Sequence, residues 1–154
     1  MFQIHLSLPY ASSRDCFKGL LSLQYLQIES LDQLRSLSSS GLEHLTGLRE
    51  LRINFCFELD LSDDEMMPWE ALKSLRRLEL WGIPKMSTVP AGFQHLTALE
   101  SLRIEECGEL GALPKCVTSL PSLKRIEMDK DYIEQHGPPL LQKGNMNMIA
   151  REDS

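Results

Sequence analysis

Leucine returns along this chain at nearly fixed intervals, and that return leaves few folds open to it. Leu20, Leu23, Leu26 and Ile28 set out the pattern L-x-x-L-x-x-L-x-I. It recurs as Leu45, Leu48, Leu51, Ile53, then as Leu72, Leu75, Leu78, Leu80. Leu96, Leu99, Leu102, Ile104 follow, and Leu120, Leu123, Ile126, Met128 close the series. Successive copies are offset by 25, 27, 24 and 24 residues. Flanking positions keep the same phase. Phe17, Leu42, Trp69, Phe93 and Val117 precede the copies, and Leu31, Cys56, Ile83 and Cys107 follow the first four. The segments GLEHLTGL at 41–48 and GFQHLTAL at 92–99 are near duplicates.

Offsets of this size, with this leucine spacing, are those of leucine-rich repeats. In L-x-L two side chains point inward while their neighbours point outward, as a short strand requires. No coil can cover its own apolar face, so each must stack on the next. The expected fold is an α/β repeat, a leucine-rich-repeat solenoid with a curved parallel β-sheet on the concave face and loops or short helical turns on the convex face. Each fully buried leucine then contributes about 1.5–3 kcal/mol. The polar residue common at the ninth repeat position is replaced by Leu31, Cys56, Ile83 and Cys107. Cysteine behaves as a small buried hydrophobe, so Cys56 and Cys107 are read as turn filler.

The repeat domain is expected to span 1–128, with a partial first repeat over 1–19 and about five full coils. Phe2 and Ile4 lie 24 residues before Leu26 and Ile28 and mark that partial coil. With no polar cap ahead of it, the chain is expected to be part of a longer protein or a truncated gene product. After Met128 the phase is lost, because Asp131 and Glu134 stand where apolar residues are due. Residues 129–154 are expected to form a partial cap and a loose tail, with a short helix over 139–149. The acidic stretch from Asp60 to Glu65 accounts for the longer offset and is read as a solvated loop.

Composition narrows the function. The chain has 154 residues, of which 25% are charged, with a net charge of −6. Such a balance argues against a nucleic-acid groove, which needs clustered cations. No apolar run approaches the roughly 18 residues of a membrane span, and no basic segment leads into an apolar stretch at the start. Four cysteines are too few for a disulfide scaffold, so reduced thiols and a cytoplasmic location are expected. The phosphate loop G-x-x-x-x-G-K-S/T and the hydrolase and metalloprotease motifs G-x-S-x-G and H-E-x-x-H are absent. His44 and His95 share a repeat phase but lie two coils apart, roughly 10 Å, too far to share one metal. Neither catalysis, a metal nor a cofactor is expected.

The run LESLRIEECGELGALP, Leu99 to Pro114, joins L-x-x-L-x-I to x-x-C-x-x-L-x-x-L-P. It resembles the C-terminal leucine-rich-repeat region of plant intracellular immune receptors, the nucleotide-binding leucine-rich-repeat disease resistance proteins. The resemblance covers residues 2–128 and implies an effector-sensing and autoinhibitory module in defence. Its implied partner is a pathogen effector, a host protein or the receptor's own nucleotide-binding domain. A stand-alone scaffold in intracellular signalling is the competing reading, and an enzyme a remote third.

Outward strand positions supply the candidate surface. Gln27, Arg52, Glu79, Arg103 and Glu127 form one column, and its last four charges alternate in sign. That column is read first as a self-compensating ladder on the concave sheet. Tyr25, Phe55 and Trp81 are expected to group near the concave rim as aromatic anchors, with Arg77, Arg103 and Arg125 as a basic rim beside them. The candidate protein-binding residues are therefore Tyr25, Arg52, Phe55, Arg77, Trp81, Arg103 and Arg125.

Overall fold

The structure, a computed structural model, describes residues 3–6, 17–37, 41–62, 67–138 and 147–151. The recurring L-x-I segments become strands β1 (Gln3–Leu6), β2 (Tyr25–Glu29), β3 (Glu50–Asn54), β4 (Arg77–Trp81), β5 (Ser101–Glu105) and β6 (Arg125–Asp129). A further strand, β7, runs from Asn147 to Arg151. All pair in parallel and in chain order, from β1 to β7. Every coil adds one strand beside its predecessor, the order that a solenoid imposes.

Sheet register follows the leucine phase directly. Leu26, Leu51, Leu78, Leu102 and Ile126 stand side by side, as do Ile28, Ile53, Leu80, Ile104 and Met128. Both rows are buried and form the inner wall of one continuous core. The opposite wall is made by short turns of 3-10 helix at Leu42–His44, Trp69–Ala71 and Ala91–His95, then by α1 (Lys115–Thr118). Their in-phase residues Leu42, Trp69, Phe93 and Val117 are all buried. Trp69 meets Phe93 edge to face at 4.6 Å, a geometry worth about 0.5–1.5 kcal/mol beyond area burial.

Coils also lock together at the start of each strand. The carbonyl of Gln24 accepts from both Arg49 N–H and Glu50 N–H, and Arg49, Arg76 and Glu100 repeat the arrangement one coil further along. At the strand ends, Ser30, Phe55, Gly82 and Glu106 share positive φ values of 55°, 54°, 67° and 51°. This left-handed step turns the chain inward so that the next residue, Leu31, Cys56, Ile83 or Cys107, enters the core.

Three expectations are corrected. Residues 147–151 are not a loose tail, because β7 pairs along β6, and ahead of them Tyr132 is buried in α2 (Lys130–His136). In α2 the apolar residue comes at Tyr132, one position later than the repeat phase demands. Its hydroxyl accepts from Leu113 N–H at 2.9 Å. Asn147 to Ile149, expected as helix, are strand, while 139–146 of that expectation lie outside the described residues. The acidic loop is also less solvated than expected. Leu61 is fully buried, and Ser62 Oγ accepts from Ser87 N–H at 2.8 Å, joining this loop to the next coil. Residues 63–66 lie outside the described residues.

Candidate interaction surface

The outward faces of the strands carry three columns of side chains. At the strand starts stand Tyr25, Glu50, Arg77, Ser101 and Arg125. The middle column is Gln27, Arg52, Glu79, Arg103 and Glu127, and the last is Glu29, Asn54, Trp81 and Glu105.

The middle column is the ladder its alternating signs predict. Arg52 lies 3.8 Å from Glu79, and Arg103 lies 3.5 Å from Glu79 and 4.0 Å from Glu127. Cross-links to the neighbouring columns strengthen it. Arg52 meets Glu50 at 2.7 Å, and Arg103 meets Glu105 at 2.8 Å. Hydrogen bonding to Glu105 is the main influence raising the Arg103 guanidinium above its ordinary range. Glu105 and Glu127 are only 6% exposed, so these carboxylates are not open to a partner. Arg151 of β7 covers them, 2.8 Å from Glu127 and 3.9 Å from Glu105. Its residue type and chain position carried no repeat signal.

The aromatic residues do not form one group. Tyr25 sits at a strand start, whereas Trp81 sits at a strand end two coils away. At about 3.3 Å per residue along a strand and 4.8 Å between strands, the two Cα positions are roughly 16 Å apart. Tyr25 instead donates to Gln27 Oε1 at 2.6 Å, with the Arg52 guanidinium 5.5 Å above its ring. Phe55 and Trp81 do come together, with ring centroids 4.8 Å apart. Gly82 makes this possible, since a Cβ there would stand 2.8 Å from Phe55 Cδ1. Arg103 lies over the Trp81 ring at 5.4 Å, and Phe57 beyond the turn is 51% exposed.

Within this patch, Trp81 Nε1 and Oδ1 of its cross-strand neighbour Asn54 are buried without a hydrogen-bond partner among the described residues. Unsatisfied buried polar atoms cost about 1–3 kcal/mol each, so the patch is held at the expense of stability. The basic rim also differs from expectation. Arg77 and Arg125 belong to the strand starts, away from Phe55 and Trp81, and only Arg103 reaches the aromatic patch. The repeat phase already separates the two strand ends: Tyr25, Arg77 and Arg125 come one residue before the first inward strand position, whereas Trp81 comes one after the second.

No group of three or more potential metal-ligating side chains occurs among the described residues. Cys56 and Cys107 are buried, and the Cys107 thiol donates to the Glu105 carbonyl at 3.2 Å. Burial pushes the Cys107 thiol up to about 12. Among the described residues no helix is long and apolar enough to cross a membrane.

Stacked coils with one parallel sheet, a shared leucine core and an outward face of varied side chains define a leucine-rich-repeat domain, a class of protein-interaction module. The family model described as "Plant disease resistance protein RPS2-like, leucine-rich repeats" matches residues 7–131. The chain belongs to this family of plant disease resistance repeats. It is also similar to Receptor-like protein 6 of Arabidopsis thaliana, with 28% identity over 146 residues. That match covers 90% of this chain, which spans 13% of the length of the relative.

Proposed function

We propose that this chain is the recognition and regulatory repeat module of a plant intracellular immune receptor, with residues 1–128 as its repeat domain and 129–154 as its cap. The module binds a protein on its sheet face: a pathogen-derived protein, a host protein or the receptor's own nucleotide-binding domain. Tyr25, Arg52, Phe55, Arg77, Trp81, Arg103 and Arg125 are its contact residues, and Phe55 with Trp81 forms the anchor.

One observation carries this reading. Most charge on the middle of the sheet is internally paired, while Phe55 and Trp81 pack half-buried with tilted rings at the strand ends, near exposed Phe57 in sequence. Aromatic side chains dominate the energetics of many interfaces. The family to which the chain belongs and the buried unpaired cysteines support the defence and intracellular parts of the reading.

The test is site-specific photo-crosslinking in leaf tissue from position 57, beside the anchor, and from position 70 on the opposite wall. A protein partner is expected to crosslink from 57 alone and to be lost in the Phe55→Ala/Trp81→Ala double variant. Equal crosslinking from both positions, or retention in the double variant, overturns the anchor.

A further inference from the structure

The strand-start rim has a character opposite to that of the chain as a whole. The residue just before each strand is Gln24, Arg49, Arg76, Glu100 and Lys124 in turn, aligned by the double carbonyl acceptors described above. Beside it runs the first strand column with Arg77 and Arg125. These two columns hold five cations, Arg49, Arg76, Arg77, Lys124 and Arg125, against two carboxylates, Glu50 and Glu100, in a chain of net charge −6.

These two carboxylates do not neutralise the strip, although Arg125 also reaches Glu127 of the ladder at 3.4 Å. Glu50 is shared between Arg77 at 3.7 Å and Arg52 of the ladder at 2.7 Å. Glu100 is shared between Arg76 at 3.3 Å and Lys124 at 3.1 Å. Arg49 is exposed and forms no ion pair among the described residues. The Arg77 and Lys124 side chains are each 70% exposed. A depression of about 290 Å³, lined in part by Tyr25, Arg49, Arg76 and Arg77, lies in the strip. Backbone carbonyls at this rim already accept from the next coil, so side-chain charge is what the rim offers.

We propose that this rim binds an acidic polypeptide segment, which rests on the protein-binding reading of the sheet face and names the partner chemistry at its strand-start end. From Gln24 to Lys124 the rim crosses four inter-strand gaps, roughly 19 Å, the length of about six extended residues. A peptide can set its carboxylates against Arg49, Arg76/Arg77 and Lys124/Arg125 while leaving neutral residues opposite Glu50 and Glu100. A nucleic acid fits less well, because its uninterrupted phosphates would also face those two carboxylates.

The experiment is fluorescence anisotropy of a labelled oligoglutamate peptide at low ionic strength, with labelled oligothymidylate as competitor class. The unsubstituted chain is expected to bind oligoglutamate more tightly than oligothymidylate, and to release it as salt rises. The Arg49→Glu/Arg76→Glu/Arg77→Glu variant should bind about tenfold or more weakly, the sum of several surface ion pairs. The charge-matched variant Arg35→Glu/Lys85→Glu/Lys115→Glu should retain affinity, with far-UV circular dichroism confirming that both are folded. Phe55→Ala/Trp81→Ala should also retain it, so failure of the aromatic anchor and failure of the rim are separate results. The proposal is overturned if the unsubstituted chain does not bind oligoglutamate, if the charge-matched variant loses as much affinity as the rim variant, or if oligothymidylate binds more tightly.

Discussion

Cys107 shows how one residue type serves a repeat without any chemistry of its own. It enters the core through the left-handed step at Glu106, with the thiol held against the Glu105 carbonyl. Burial raises its ionisation to about 12 and raises that of Cys56 in the same direction. Because the thiolate is the nucleophile, alkylation of the native chain at mildly alkaline pH should label exposed Cys116 and spare Cys56 and Cys107. Peptide mapping after iodoacetamide reads this, and rapid native labelling of Cys107 would contradict its buried placement. The sign with pH follows from a raised folded value. The contribution of Cys107 to stability is complete below the ordinary thiol range and is lost as pH rises through about 12. Glycines make a related point, since the near-duplicate segments use theirs differently. Gly41 adopts φ +85°, whereas Gly92 makes room for Trp69, whose Cδ1 would lie 2.3 Å from an added Cβ. Identical letters at one repeat phase thus answer two separate constraints, which the letters alone do not distinguish.

At the level of elements, β2 to β6 were readable because burial imposes a two-residue alternation inside each coil and stacking imposes a common offset between coils. The charge ladder was readable for the same reason, since column neighbours are fixed once register is known. β7 was not. Met148 and Ala150 pair with Ile126 and Met128 at an offset of 22 residues, and Gln142 and Asn145 stand where the preceding leucines would be. What holds β7 is partly its ladder of backbone bonds and partly Arg151 on Glu127. The grouping of Tyr25 with Phe55 and Trp81 failed, and the phase already spoke against it: Tyr25 precedes the L-x-I pair of its coil and Trp81 follows that of its own, at opposite strand ends. What the phase does not give is the left-handed turn at Phe55, which brings that ring against Trp81. Replacing Arg151 by Met should lower stability by about 0.5–1.5 kcal/mol, a partly screened interaction that leaves Glu127 with its other arginines. A double-mutant cycle with Glu127→Gln in urea should give a coupling of about 0.5–1 kcal/mol. A coupling near zero would mean that β7 is held by its backbone alone.

Across the whole molecule, each strand pairs only with its immediate neighbours, so stability is approximately a sum of coil and interface contributions. Truncation in the middle and truncation at the end should therefore differ in both size and spread. Leu78 is 1% exposed in β4, between the fully buried Leu51 and Leu102 of the flanking strands. Leu78→Ala removes packing from two interfaces and should cost about 2–5 kcal/mol. Ile149 in β7 is only half-buried and borders a single described strand, so Ile149→Ala should cost less, about 1 kcal/mol or below. Hydrogen exchange followed by mass spectrometry separates these effects by position. In the unsubstituted chain, protection should be greatest over β3 to β5 and fall towards β7. Leu78→Ala should lower protection through β3, β4 and β5 together, while Ile149→Ala should open β7 and leave β3 and β4 near their original values. Uniform loss across all strands after Ile149→Ala would show one indivisible cooperative unit instead. The distinction bears on recognition, because the anchor at Phe55 and Trp81 and the cations at Arg49, Arg76 and Arg77 all lie on β3, β4 or residues directly adjoining them. If β3 to β5 are the most protected strands, the proposed binding face would meet its partner already ordered, which limits the entropy lost on association.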